Sequence, residues 1–183
     1  FKEVDLDIVI TKSMIHYEST GKITKEHRTN TTENVLEDYI TRKVSWYVDN
    51  PMIRADFLQS SHIFSSRLKA GQDRDFYIKI LIDQPKLKII DYYGSVYNRH
   101  SDSISGKMYN SHELNAIYNY SHYQSLVYQI DSLKSKGVFT DVLRAFYFQE
   151  ILKKFPSVHK TKNSKPDFYQ KLINLTSFNF YEI

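Results

Sequence analysis

The spacing of apolar residues changes near residue 105, and this change limits the folds open to the chain. Before it, short apolar runs alternate with turn residues and short helical stretches, which is typical of a mixed α/β region. After it, apolar residues keep a helical period from Leu114 to Leu133, a stretch without Pro or Gly. The sequence therefore predicts an α/β domain over residues 1–105 and a helical extension over residues 106–183.

Individual elements follow the same division. The α/β region is expected to contain a strand over residues 8–15, a return strand near Ile23, a helix capped by Asn30, a helix from Gln72 and a strand over residues 86–90. In the extension, Gly137 separates two long helices. Pro156 is expected to end the second of them, because proline cannot continue a regular helix.

Composition excludes several classes of protein. The 183 residues suffice for one ordinary domain with a sizeable core. The 25 basic and 21 acidic residues leave a net charge of only +4, which argues against a nucleic-acid binder. Because there is no cysteine, neither a disulfide framework nor a thiolate metal site is possible. No bilayer-spanning apolar run and no signal-peptide pattern occurs, so an integral membrane protein is not expected.

The stretch from Gly71 to Leu81 places a carboxylate at the start of a short amphipathic helix. If the helix begins near Gln72, Asp73 shares one stripe with the later residues Phe76, Tyr77, Ile80 and Leu81. We therefore expect Asp73 to border a cavity along the buried face, and Asp75, on a neighbouring face, to be solvated. The alternative is that Asp73 only caps the helix and favours its positive end.

A series of short motifs runs through the α/β region in a fixed order. They are Trp46, Asn50–Leu58, Gly71-Gln72-Asp73 with Asp75-Phe76, Lys86–Ile90, and Tyr97–His100 with Ser103-Ile104-Ser105. In order and spacing these motifs resemble the C-terminal half of inverting family 2 glycosyltransferases with the GT-A fold. In that family an acidic Glu-Asp or Gln-Asp motif is followed by a strand and then by Tyr-x-x-His or Tyr-x-x-Arg. Each motif alone is weak, but five in sequence over about sixty residues make a more specific pattern.

The resemblance implies an activity and a role for Asp73. Enzymes of this family transfer a sugar with inversion from a nucleotide-sugar donor to a glycan or lipid-linked acceptor, here in bacterial polysaccharide biosynthesis. The corresponding aspartate is the catalytic base, which takes a proton from the acceptor hydroxyl as that hydroxyl attacks the anomeric carbon. The resemblance also implies a cytoplasmic protein, either free or at the cytoplasmic face of the inner membrane.

Further residues carry over by their positions in the motifs. Arg99 and His100 fall where family members hold the donor diphosphate, and Ser103 and Ser105 match the Ser-x-Ser of a loop that tends to cover the nucleotide. His100 is also the candidate ligand for a divalent metal. Four fall on the acceptor side: Trp46, Asn50, Arg54 and Gln72. The plainer alternatives are a solvated loop for Arg99 and His100, ordinary turn residues for the serines, and a core position for Trp46.

The metal-binding Asp-x-Asp motif of the family is missing from its expected context. Asp5-Leu6-Asp7 precedes a strand instead of ending one, and Asp73-Arg74-Asp75 follows a polar stretch. We therefore expect this chain to be a fragment that lacks the donor-binding half. In the full-length enzyme that half would occupy about a hundred residues before Phe1. The fragment alone is expected to be inactive. The resemblance implies Mn or Mg in the full-length enzyme and no metal in this fragment.

The helical extension carries no catalytic motif. It is rich in Tyr and Phe with interspersed Lys and Arg. This composition allows a peripheral membrane contact or a homodimer contact, whereas the simpler alternative is an aromatic core with a solvated basic face. For the chain as a whole, the alternative function is a non-catalytic helical interaction module or remnant of such an enzyme. Binding of nucleic acid is not expected.

Overall fold

The computed structural model describes residues 5–25, 33–58, 62–103 and 112–158. Its contacts divide the chain into two units, Phe1–Phe64 with Phe76–Asn110 and Ser65–Asp75 with Ser111–Ile183. The first unit contains a β-sheet, and the second contains two long helices. The sequence predicted a boundary after residue 105, but it did not indicate that Ser65–Asp75 groups with the helical extension.

The sheet is built around one central strand. β1 (Ile8–Tyr17) pairs antiparallel with β2 (Lys22–Lys25) near its end and with β3 (Pro51–Ile53) near its start. β4 (Leu87–Arg99) runs parallel to β1 along its length, from Ile8 opposite Leu87 to Tyr17 opposite Arg99. The described sheet is therefore mixed, and the α/β class expected from the sequence is confirmed.

The close approach of β1 and β4 depends on Gly94. β4 has 13 residues against 10 in β1, and register shifts on either side of Lys12 absorb the difference. Gly94 is skipped at the second shift, where Ser13 pairs with Ser95. A Cβ at Gly94 would lie 2.9 Å from Thr11 Oγ1 and 3.0 Å from Thr11 Cβ. The bulge therefore requires glycine because there is no space for a side chain.

A short helix, α1 (Val35–Ile40), begins at a different cap from the predicted one. The Asn34 side-chain oxygen accepts the Glu37 N–H at 3.1 Å, which makes Asn34 the N-cap. Asn30, the predicted cap, lies outside the described residues. A 3-10 turn over Ala55–Phe57 follows β3. The core of the first unit includes Ile8, Ile10, Tyr39, Ile40, Val44, Tyr77, Ile78, Ile80 and Leu81.

α2 (Gln72–Ile82) begins where the sequence predicts, but its carboxylates face differently. The predicted stripe is buried: Phe76, Tyr77, Ile80 and Leu81. A second row, with Ile78 and Ile82, is also buried, and Asp75 belongs to that row and is only 1% exposed. Asp73 is exposed instead. The predicted burial of the two aspartates is therefore reversed, because α2 is covered around more of its circumference than one stripe.

Two helices, α3 (His112–Ser135) and α4 (Asp141–Val158), form most of the described second unit. Gly137 ends α3 with a left-handed φ of +69°. α4 continues past Pro156, where the sequence predicted its end; a proline in the last turn removes only one N–H donor near the helix terminus. The core of this unit includes Leu68, Tyr123, Leu126, Val127, Ile130, Leu133, Leu143, Tyr147 and Ile151. Within the described residues, no helix combines the length and apolarity needed to cross a membrane.

Candidate functional site

A pocket of about 500 Å³ lies at the carboxyl ends of β1 and β4. Its lining residues are Tyr17, Glu18, Ser19, Arg99, His100 and Ser101. The two strands end together because they are parallel, with Tyr17 opposite Arg99, and the Glu18 N–H donates to the Arg99 C=O at 3.1 Å. In open α/β sheets, ligands commonly bind just beyond the carboxyl ends of the strands.

Charged and aromatic groups in this pocket come from both strands. The Arg99 guanidinium carbon lies 5.5 Å from the centre of the Tyr17 ring, a cation–π contact that holds Arg99 beside the pocket. Arg99 and His100 are both exposed. A planar guanidinium and an imidazole are therefore available to an anionic group that enters the pocket.

The two predicted serines do not both fall in the described part of the chain. Ser103 donates its hydroxyl to the His100 C=O at 2.9 Å and closes the turn that follows β4. This contact is the one expected of an ordinary turn residue. Ser105 lies outside the described residues.

The pocket does not by itself fit a divalent metal. Among its lining residues, only His100 and Glu18 are common metal ligands. Within the four described stretches, no group of three or more His, Cys, Asp or Glu side chains is arranged to hold a metal ion. His100 would therefore contribute to a metal site only if the remaining ligands came from elsewhere.

Asp73, the predicted base, belongs to the second unit. It is the second residue of α2, and its side chain is exposed. Oδ1 accepts the N–H of Arg74 at 2.8 Å, whereas Oδ2 has no hydrogen-bond partner among the described residues. The backbone thus orients one carboxylate oxygen, and the other is able to accept a proton from a bound molecule.

Gly71 sets the path of the chain just before Asp73. It has a left-handed φ of +81°. A Cβ at Gly71 would lie 3.1 Å from His122 Nδ1 and 3.4 Å from Ser125 Oγ on α3. Both the backbone conformation and the nearness of α3 therefore favour glycine here. Gln72, a predicted acceptor-side residue, follows directly and is half-buried.

Asn50 is buried, and its side-chain amide is hydrogen-bonded within the first unit. It is 2% exposed. Its Nδ2 donates to Ser13 Oγ at 2.6 Å and to Ser95 Oγ at 3.0 Å, and its Oδ1 accepts the Tyr47 N–H at 2.8 Å. Because these contacts occupy the amide inside the first unit, the structure does not support the predicted contact between Asn50 and an acceptor.

Trp46 is a core residue, as the plainer alternative for it proposed. It is 9% exposed, and its ring stacks on that of Tyr39 with centroids 4.2 Å apart. Tyr77 packs edge-on against Trp46 at 5.9 Å. The indole is therefore enclosed by aromatic neighbours and does not present the flat surface to a sugar that was expected of it.

Arg54 is far from the pocket and is paired with carboxylates. Its guanidinium contacts Asp56 at 2.6 Å, Asp7 at 2.8 Å and Asp5 at 3.3 Å. It follows β3, which pairs with the start of β1, whereas the pocket lies at the end of β1. At roughly 3.3 Å per residue, the length of β1 separates Arg54 from the pocket by about 30 Å.

The structure brings together only some of the predicted residues. Arg99, His100 and Ser103 lie in one short segment at the end of β4. No functional role was predicted for Tyr17, Glu18 and Ser19, because the sequence of a turn after a strand does not indicate whether that turn borders a pocket. The parallel register of β1 and β4 identifies these residues, and that register is a tertiary property.

Comparisons with known proteins provide no family assignment. No protein-family model matches the chain, and no curated protein and no solved structure matches it. A functional assignment therefore depends on the motifs and on the geometry of the chain itself.

Proposed function

We propose that this chain is the acceptor-side half of an inverting family 2 glycosyltransferase of the GT-A fold, with a helical extension. The complete enzyme would act on the cytoplasmic side of a bacterial membrane and transfer a sugar from a nucleotide-sugar to a growing glycan or lipid-linked acceptor. The observation that carries the proposal is the exposed Asp73 carboxylate in the first turn of α2, within the motif Gly71-Gln72-Asp73.

Asp73 is assigned the role of the base that accepts the proton of the acceptor hydroxyl. The acceptor hydroxyl oxygen forms a bond to the anomeric carbon from the face opposite the nucleotide. The bond from that carbon to the diphosphate oxygen breaks, and the diphosphate leaves with the bonding electrons. The hydroxyl proton passes to Oδ2 of Asp73, the oxygen that has no partner among the described residues. General-base catalysis of this kind contributes about 10²–10⁴-fold to a rate.

Arg99 and His100 are assigned contacts to the diphosphate. Both are exposed in a pocket of about 500 Å³ at the strand ends. The guanidinium fork of Arg99 matches phosphate oxygens, and the imidazole of His100 offers a further N–H donor. The divalent metal expected from the family is assigned to the donor-binding half, where members of the family carry the Asp-x-Asp motif.

The test measures hydrolysis of nucleotide-sugars by the complete protein that contains this chain. The protein is incubated with Mn²⁺ or Mg²⁺ and with UDP-, GDP- and dTDP-linked hexoses, and the released nucleoside diphosphate is quantified. At least one donor should be hydrolysed. Asp73→Asn should lower kcat by about 100-fold or more while KM for the donor stays unchanged, because the base does not bind the donor.

Asp141→Asn is the matched control. Asp141 is also an exposed aspartate in the first turn of a helix, with a side chain 82% exposed. If Asp73 only stabilised its helix end, both substitutions would cost at most about 1 kcal/mol of stability and neither would change kcat. The proposal fails if the complete protein neither binds nor hydrolyses any donor, or if the two variants behave alike.

A further inference from the structure

The segment that leads into α2 is bound by a buried serine of α3. Ser121 is 2% exposed. Its Oγ accepts the N–H of Lys69 at 2.7 Å and the N–H of Ala70 at 3.0 Å, and it donates to the Ala70 C=O at 3.2 Å. One hydroxyl thus fixes three backbone groups immediately before Gly71.

A second contact comes one helical turn later on α3. The Ser125 hydroxyl donates to the Gly71 C=O at 3.4 Å. That carbonyl also accepts the Asp75 N–H at 3.0 Å, which is the bond that starts α2. Ser125 therefore contacts the group on which the first turn of α2 is built, and Asp73 lies within that turn.

Ser125 is itself held by a buried chain of hydrogen bonds. Gln129 Nε2 donates to Ser125 Oγ at 2.7 Å, and the Tyr147 hydroxyl donates to Gln129 Oε1 at 3.0 Å. All three side chains are at most 2% exposed. Burial raises the pKa of Tyr147, which keeps its hydroxyl protonated as a donor. This series of hydrogen bonds connects α4 through α3 to the start of α2.

These contacts are specific in a way that simple packing does not require. Ser121, Ser125 and Gln129 are spaced four residues apart and so follow one another along a face of α3. Apolar side chains at buried helix positions would fill the same space without needing partners. The polar stripe is instead matched to Lys69, Ala70 and Gly71, the residues that direct the chain into the Asp73 turn.

We propose that Ser121 and Ser125 are positioning residues for Asp73, and that the helical extension holds the orientation of the catalytic base. This inference rests on the proposed function, in which Asp73 accepts the acceptor proton. It gives the extension a role in the reaction that requires neither a membrane contact nor a dimer. The serines act through the backbone of residues 69–71 and do not touch the substrate.

The first experiment measures kcat and KM for nucleotide-sugar hydrolysis in the complete protein with Ser121→Ala and with Ser125→Ala. Each should lower kcat by roughly 10- to 100-fold, because small displacements of a catalytic group have effects of this size. KM should change by less than about twofold. Ser135→Ala is the matched control: Ser135 is also on α3, but its hydroxyl donates to Ser132 within its own helix, and activity should not change.

A double-substitution test separates positioning from general damage. If the serines act through Asp73, adding Ser121→Ala to Asp73→Asn should produce no further loss in kcat. A merely structural role would lower the residual rate by the same factor in both backgrounds, and that outcome overturns the inference. If Asp73→Asn itself retains full activity, the proposed function fails; if only the serine variants retain it, this inference alone fails.

Hydrogen exchange tests the same idea without activity. In Ser121→Ala the amides of Lys69 and Ala70 should exchange at least about tenfold faster, since they lose their acceptor. If Ser121→Ala does not fold, Ser125→Ala carries the kinetic comparison, because it leaves the Ser121 contacts in place. Unchanged exchange at Lys69 and Ala70 in a folded Ser121→Ala protein would overturn the inference.

Discussion

At the scale of single residues, a buried polar cluster explains how β4 keeps its register with β1. Ser13 Oγ lies 2.7 Å from Ser95 Oγ, and the Asn50 amide donates to both. The Thr11 hydroxyl donates to the Asn50 C=O at 3.2 Å. A slip of one residue would turn these side chains to the other face and leave them without partners. The cluster therefore specifies one pairing of the strands.

We predict that Asn50→Ala lowers the free energy of unfolding by about 2 kcal/mol. The substitution removes a buried hydrogen-bonding group and leaves Ser13, Ser95 and the Tyr47 N–H with fewer partners. Urea denaturation measures the change, with the m-value checked for constancy. Asn98→Ala is the control, because Asn98 is exposed and its side chain bonds, among the described residues, only to the half-exposed His16; it should cost less than about 0.5 kcal/mol. Equal effects of the two substitutions would contradict this account.

Asn50 and Trp46 also show what a sequence reveals about individual residues. A lone Trp and an Asn before Pro51 stand out in the sequence, and a motif resemblance gives them a ligand-binding role. Whether such a side chain faces a ligand or the core depends on contacts with distant residues. Asn50 meets Ser95, and Trp46 meets Tyr77, so both contacts come from tertiary packing.

At the scale of elements, only part of the structure of α2 could be predicted from the sequence. Its start at Gln72 and its buried stripe follow from local spacing. The second buried row of α2 does not follow from local spacing, because the number of buried faces depends on which elements pack around the helix. Asp75 is buried and Asp73 exposed for this reason. β1, β2, the first part of β4 and the α/β class were predictable in the same way, whereas β3, the extension of β4 to Arg99 and the pocket at the strand ends were not.

We predict that Gly94→Ala destabilises the β1–β4 pair. The added Cβ would lie 2.9 Å from Thr11 Oγ1, so the strands must move apart or Thr11 must shift. Overpacking of this kind costs about 1–3 kcal/mol, measured by urea denaturation. Thr11→Ser removes one of the crowding atoms, so the double variant should recover part of the loss. Independent, additive effects of the two substitutions would show that Thr11 is not the source of the strain.

At the scale of the whole molecule, an exposed ion pair in the first unit and a buried tyrosine in the second make stability depend on pH. In the first unit, the hydrogen bond from Lys12 holds the pKa of Asp91 below 3.8. That contribution to stability is present above pH 3.8 and is lost as the pH falls through the lowered pKa. In the second unit, burial raises the pKa of Tyr147 above 10.0. That contribution is present below pH 10.0 and is lost as the pH rises.

We therefore predict that Lys12→Met flattens the acid limb of the stability curve and that Tyr147→Phe flattens the alkaline limb. Lys12→Met should reduce the loss of stability as the pH falls below about 3.8, because Asp91 then loses the largest cause of its lowered pKa. Tyr147→Phe should reduce the loss above about pH 10. The urea midpoint is followed across the pH range in both variants and the unsubstituted chain. If each variant shifted the whole curve without changing its slope at either end, the proposed link between these pKa shifts and the pH dependence of stability would be refuted.

The contacts of Ser121 and Ser125 affect when, during translation, the turn that contains Asp73 can be fixed. They reach back across 51 to 54 residues to Lys69, Ala70 and Gly71. Domains fold progressively as the ribosome delivers them, and β4 is delivered before α3. A half-made protein that already holds every described strand still lacks the serines that fix the turn of Asp73. If Asp73 is the base that we propose, its turn is fixed only after α3 has been translated, so a shorter nascent chain would be inactive.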